Sequence, residues 1–117
     1  MNMYLKKEHF KERLNQAIPN SDKLFHHGER LSSKAYLFSS GSNLAIIYID
    51  IIIFLKIGNK ITLNTDGWRT HTSKKWINKG LYMVGSDWFI QQRKSEWYLK
   101  TWDNNWEIEF KDNMIIK

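Results

Sequence analysis

Apolar residues recur at helical spacing near the start of the chain. Phe10, Leu14, Ala17 and Ile18 share one side, while Lys7, Lys11, Glu12 and Gln16 fall on the others. This period predicts a helix over about 4–17, stopped by Pro19 and Asn20. A polar connection follows over 21–30, with His26 and His27 beside Gly28. From residue 34 the pattern becomes strand-like. Ala35-Tyr36-Leu37-Phe38 is the first strand, and Ser39 to Asn43 has turn chemistry. Leu44 to Ile57 reads as one long strand, expected to bend or bulge at Asp50 because its length exceeds that of a usual strand. Gly58-Asn59 makes a tight hairpin into Ile61-Thr62-Leu63-Asn64. Both faces of the long segment are apolar, so it belongs in mid-sheet with the helix covering one side.

Thr72 or Ser73 can cap a second, short helix through Asn78, with Gly80 as its left-handed exit. Three strands follow, over 87–92, 96–101 and 106–110, separated by Arg93-Lys94-Ser95 and Asp103-Asn104-Asn105. In the last strand Trp106, Ile108 and Phe110 should face inward, and Glu107, Glu109 and Lys111 outward. The expected fold is therefore α+β: an N-terminal helix, an antiparallel β-meander sheet, a short inserted helix and a C-terminal β-meander. All 117 residues are read as a single domain.

Composition narrows the function classes. Hydrophobic residues make up 42% of the chain, enough for a real core, and six are Trp. The absence of cysteine excludes disulfides, thiolate metal sites and a Cys nucleophile, and fits a reducing cytoplasm. The N-terminal stretch is too charged for a signal peptide. The apolar run 44–55 holds Asp50 and is too short to cross a bilayer, so no membrane is expected. A net charge of +6 biases the surface toward polyanions or acidic protein faces.

Little points to catalysis. His9, His26, His27 and His71 show no metal-ligand spacing, and phosphate loops and nucleophile elbows are lacking. Glu109 and Lys111, with Asp87 or Asp103 upstream, echo metal-dependent nucleases. The outward phase of an alternating strand explains the same pair better. A non-enzymatic protein without cofactors is expected.

Two addresses for a partner emerge. Arg69, Lys74 and Lys75 surround the start of the second helix, where free amides and the helix dipole favour anions. The same stretch, with Asp66-Gly67 as a turn, Trp68 as an anchor into the core and capping residues from Thr70 to Ser73, also reads as scaffold. The second address is the preferred one. Trp97 and Tyr98 face opposite sides of a strand, as do Trp88 and Phe89, so some rings stay exposed. Arg93, Lys94 and Lys100 stand beside Trp97, an arrangement suited to base stacking or to a protein hot spot.

Leu63, Asn64, Thr65, Gly67, Trp68, Thr70, Thr72, Lys74, Ile77 and Asn78 resemble the Leu-Asn-Ser/Thr-Gly-Gly-Trp-x-Thr-x-Thr-Thr-Lys-x-Arg-Ile/Met-Asn signature of small, largely uncharacterised bacteriophage and prophage proteins. The likeness continues through Phe89-Ile90-Gln91-Gln92, Glu96-Trp97-Tyr98-Leu99 and Phe110-Lys111-Asp112, roughly the C-terminal two thirds. Asp66 stands for a Gly, Ser73 for a Thr and Trp76 for the usual Arg. The resemblance implies a phage or mobile-element origin and the cytoplasm of a host bacterium. The expected function is an accessory protein that inhibits a host defence nuclease complex, of anti-CRISPR type, by stoichiometric binding. The alternative is direct binding of RNA or DNA in phage replication or regulation. The partner would be a host protein or nucleoprotein complex, and the exposed strands also allow a homodimer.

Overall fold

The computed structural model describes residues 4–117. Helix α1 (Lys7–Ala17) is followed by a single turn, α2 (Ser21–Leu24), then by five strands: β1 (His27–Ser32), β2 (Ala35–Ser40), β3 (Asn43–Tyr48), β4 (Ile51–Ile57) and β5 (Lys60–Leu63). Helix α3 (His71–Met83) leads to β6 (Trp88–Arg93), β7 (Glu96–Thr101), β8 (Glu107–Glu109) and β9 (Met114–Ile116). The antiparallel strands form a six-stranded sheet, β1-β2-β3-β4-β5-β9, and a three-stranded sheet, β6-β7-β8. The expected α+β architecture is thus present, with the strands divided between two sheets.

The larger sheet has a core on each face. Phe10 and Leu14 of α1 pack with Phe25, Tyr36, Phe38, Ala45 and Ile47 on one side. On the other, Trp76, Ile77 and Leu81 of α3 join Leu37, Ile46, Ile53, Phe54 and Leu63, and the same cluster takes in Ile90, Trp97 and Leu99 of the smaller sheet. Helix α3 therefore ties the two sheets together.

Several boundaries differ from the sequence reading. Residues ahead of α1 are extended, because Leu5 N–H bonds to Ser33 O at 2.9 Å and Leu5 O accepts from Arg30 at 2.6 Å. The polar stretch 27–32 is an edge strand paired with β2. The long apolar segment is a hairpin, turning at Ile49 (φ 58°) and Asp50. The expected bulge lies at Ile53, since Ile46 pairs with Phe54 and Ile47 with Ile52. The extra residue changes the phase of the strand, so that Ile53 and Phe54 both enter the α3-side core while Ile52 and Leu55 face α1. Gly80 lies inside α3, and the chain leaves the helix through Gly85 (φ 69°).

Candidate partner-binding surfaces

The signature segment between β5 and α3 is held by a carboxylate from the far end of the chain. Asp112 accepts hydrogen bonds from Thr65 N–H at 2.6 Å, Thr65 Oγ1 at 2.8 Å and Gly67 N–H at 3.0 Å. Burial pushes its pKa up, but these donors, with the charge of Arg69, outweigh that and hold the carboxyl below its ordinary value. Asp66 and Gly67 both have positive φ, which gives the turn its sharpness. Thr70 caps α3 by accepting from Ser73 N–H at 3.1 Å, and Ser73 Oγ donates to Trp68 O at 2.7 Å. At the other end of the helix, Asn78 pairs its amide with Ile90 N–H (2.7 Å) and Ile90 O (3.1 Å). Most of the signature is therefore consumed by the fold, and its two distant parts meet in one latch.

Trp68 is the exception. Expected as an anchor in the core, its side chain is 68% exposed. The backbone bonds to Asp112 and Ser73 already fix the turn, so the ring is not needed to hold it. It lines a cleft of about 440 Å³ together with Tyr48, Asp50, Ile51, Asp66 and Thr70.

The cations expected near the start of α3 divide between two tasks. Arg69 sits 4.9 Å from the Phe110 ring centroid, and Lys74 Nζ lies 3.2 Å from Gln92 Oε1. Arg69 is nonetheless exposed and Lys74 half-buried. Lys75 Nζ sits over the Trp76 ring, 4.6 Å from its centroid, and the residue stays exposed. Trp76 itself is buried in the core at the position where the resembling signature carries Arg. One turn beyond Lys75 comes Lys79, then Tyr82, which is 81% exposed. His71, Lys75, Lys79 and Tyr82 follow at spacings of four, four and three, so they form one stripe along the solvent side of α3. No Asp or Glu occurs from Gly67 to Ser86, and among the described residues neither lysine is in an ion pair. Sequence reading missed Lys79 and Tyr82 because it ended the helix at Gly80; the 71/75/79/82 spacing was the available signal.

The sheet address needs correction. Trp97 is 1% exposed and packs against Phe110, with ring centroids 5.4 Å apart. It cannot face a partner, because that side of β7 lies in the buried core that the smaller sheet shares with Phe110 and α3. Its neighbour Tyr98 is on the open face with Phe89, Gln91, Arg93, Glu96, Lys100, Glu107 and Glu109. There Arg93 lies 4.2 Å from the Tyr98 ring centroid and donates to Glu107 Oε2 at 2.7 Å, a bond that raises the pKa of the guanidinium. Phe89 stacks on Trp102 at 4.0 Å. Lys94 is in the β6–β7 turn with φ 59°. The cations Arg93, Lys94 and Lys100 are matched by the carboxylates Glu96, Glu107 and Glu109, so this face is aromatic but not basic.

The last meander also departs from expectation. Phe110 is buried against Trp97, but Trp106 and Ile108 are exposed. Asp103 accepts from Thr101 Oγ1 at 2.7 Å and Asn105 N–H at 2.9 Å, bonds that hold its carboxyl below the ordinary value and fix the β7–β8 turn. His9 Nε2 lies 3.0 Å from Asp50 Oδ1 and 2.9 Å from Ile49 O, joining α1 to the β3–β4 turn. Among the described residues no three His, Cys, Asp or Glu side chains converge as metal ligands, and no helix is long and apolar enough to cross a membrane. Comparison with protein-family models, curated proteins and solved structures finds no match for this chain.

Proposed function

We propose that the protein is a phage-borne accessory protein that inhibits a host defence nuclease complex, of anti-CRISPR type, by stoichiometric binding and without catalysis. The observation that carries this reading is the α3 stripe. His71, Lys75, Lys79 and Tyr82 line one solvent-facing side of a helix in a carboxylate-free stretch of sequence. Such a surface suits the phosphates of a guide RNA, a nucleic acid held by the complex, or an acidic face of the nuclease. The phage setting rests on the signature resemblance and on nothing else.

A tagged protein should recover a nuclease or effector subunit from host lysate. The double variant Lys75→Glu with Lys79→Glu should lose that capture while keeping its thermal unfolding midpoint, since both residues are exposed. Recovery of the same proteins by both forms, or of no nuclease by either, would remove the support.

The exposed Tyr82 ring in the stripe favours a second reading, direct nucleic-acid binding, in which the ring stacks on a base. That reading expects short RNA or DNA to shift in a gel at low salt, with affinity falling steeply as salt rises. Unchanged mobility at low salt would exclude it.

A further inference from the structure

Strand β8 has an open side. Among the described residues it pairs only with β7, and every residue from Trp102 to Glu109 is exposed. The hydrogen-bond phase of the strand follows from its two ends. Thr101 N–H donates to Trp106 O and Phe110 N–H donates to Trp97 O, each at 3.0 Å, with Ile108 opposite Leu99 between them. Residues 106, 108 and 110 therefore turn their backbone groups toward β7. Glu107 and Glu109 turn theirs, two N–H and two C=O, to solvent. An open edge of this kind is a template for another strand.

The side chains decide which strand fits. Trp106 (68% exposed) and Ile108 (42% exposed) lie on one face of β8, while Glu107 and Glu109 lie on the other. A second copy of the chain is a poor occupant. A twofold axis through Ile108 sets Glu107 against Glu109 of the copy, and an axis through either glutamate sets it against itself. Each arrangement places carboxylates directly opposite one another, which destabilises an antiparallel pair. Arg93 engages Glu107 from the β6 side, and among the described residues Glu109 has no cation on it. The net positive charge of the chain does not reverse this preference, because charges beyond about 8 Å are largely screened at physiological salt.

We propose that the open edge of β8 receives, by strand addition, an extended segment of a partner protein in which basic and apolar residues alternate. The basic residues would lie opposite Glu107 and Glu109, and an apolar residue opposite Ile108. The β8 edge is separate from the α3 stripe and offers carboxylates and backbone groups instead of lysines.

The test uses the full chain with two synthetic probes, the capped peptides Lys-Val-Lys-Val-Lys and Glu-Val-Glu-Val-Glu, and reads amide hydrogen exchange residue by residue. The lysine peptide should slow exchange at Glu107 and Glu109 while leaving Ile108, already bonded to β7, unchanged. It should bind roughly tenfold more tightly than the glutamate peptide, chiefly from attraction against repulsion at Glu109, since Glu107 is already engaged by Arg93. Glu109→Pro removes one outward N–H without touching the β7 ladder and should abolish the protection. Reversing both charges, Glu107→Lys with Glu109→Lys, should switch the preference to the glutamate peptide; this variant decides the matter even where the proline variant does not fold. Equal protection by both peptides, preference unchanged by charge reversal, or concentration-dependent protection of Glu107 and Glu109 without any peptide would overturn the proposal.

Discussion

Asp112 reaches back 47 residues to Thr65 and accepts hydrogen bonds from both its backbone N–H and its hydroxyl. Thr65 is fully buried, so removing the carboxylate leaves two donors with no partner. Asp112→Ala should cost about 2 kcal/mol in unfolding free energy, measured by urea denaturation at neutral pH. The carboxyl is held below its ordinary pKa in the folded state, so the unfolded chain binds its proton first as pH falls. The stabilisation is then complete above the ordinary carboxylate pKa of about 4 and fades below it, toward the folded value. Asp112→Asn should lack this part of the acid sensitivity; an identical slope of stability against pH in both proteins below about pH 4 would count against the latch.

Asn78 acts as an artificial strand for the edge of the smaller sheet. Its side-chain amide bonds both backbone groups of Ile90, a buried residue on β6. Asn78→Leu keeps the bulk and removes both bonds, leaving Ile90 N–H and C=O unpaired in a poorly hydrated place. A loss of about 2–4 kcal/mol is expected from two orphaned backbone groups. Exchange of the Ile90 amide should accelerate more than that of Leu99, which keeps its ladder to β8. Equal acceleration at both would point to general loosening instead.

Gly80 is not the helix exit that the sequence implied, and substitution separates the two roles. A Cβ built there would lie 2.5 Å from Phe54 Cγ and 2.6 Å from Cδ2, inside the buried core. Helix propensity alone would make Gly80→Ala stabilising by about 1 kcal/mol. Overpacking against a fully buried ring costs about 1–3 kcal/mol and should win, giving a lower thermal midpoint. A raised midpoint would show that Phe54 can move aside.

Helix α1 and strands β2, β5, β6 and β7 were legible because each carries a local period. Helix α3, by contrast, is capped by Thr70 and not by Thr72 or Ser73, and the Ser73 Oγ is instead bonded to Trp68 O. The missed features depend on distant groups. β1 (His27–Ser32) is a polar edge strand whose sequence has no alternation, and only pairing with Tyr36, Leu37 and Phe38 makes it a strand. The β3–β4 turn holds Ile49 in a left-handed conformation that β-branched residues disfavour, with its N–H bonded to Lys34 O at 2.8 Å, so turn chemistry gave no warning. Of the expected contact residues, Arg69, Lys75, Arg93 and Lys94 are exposed and Lys74 and Lys100 half-buried, while Arg69, Lys74, Lys75 and Arg93 are partly engaged by Phe110, Gln92, Trp76 and Glu107. Trp97 was misplaced because strand parity says only that Trp97 and Tyr98 face opposite ways. Which way is inward depends on where α3 packs.

Trp97 and Trp106 turn that ambiguity into a measurement. If α3 covers the Trp97 side of β7, Trp97→Ala empties a fully buried site and should cost about 3–5 kcal/mol, enough to unfold a marginal domain. Trp106→Ala removes an equally large ring from solvent beside the open edge and should change stability by less than about 0.5 kcal/mol. Trp106 should also be quenched by acrylamide in the wild-type protein while Trp97 is shielded, which comparison of the two single Phe variants would resolve. The reverse ranking, a costly Trp106 and a neutral Trp97, would mean that the smaller sheet presents its other face to α3, and with it Tyr98 and Lys100 would leave the surface.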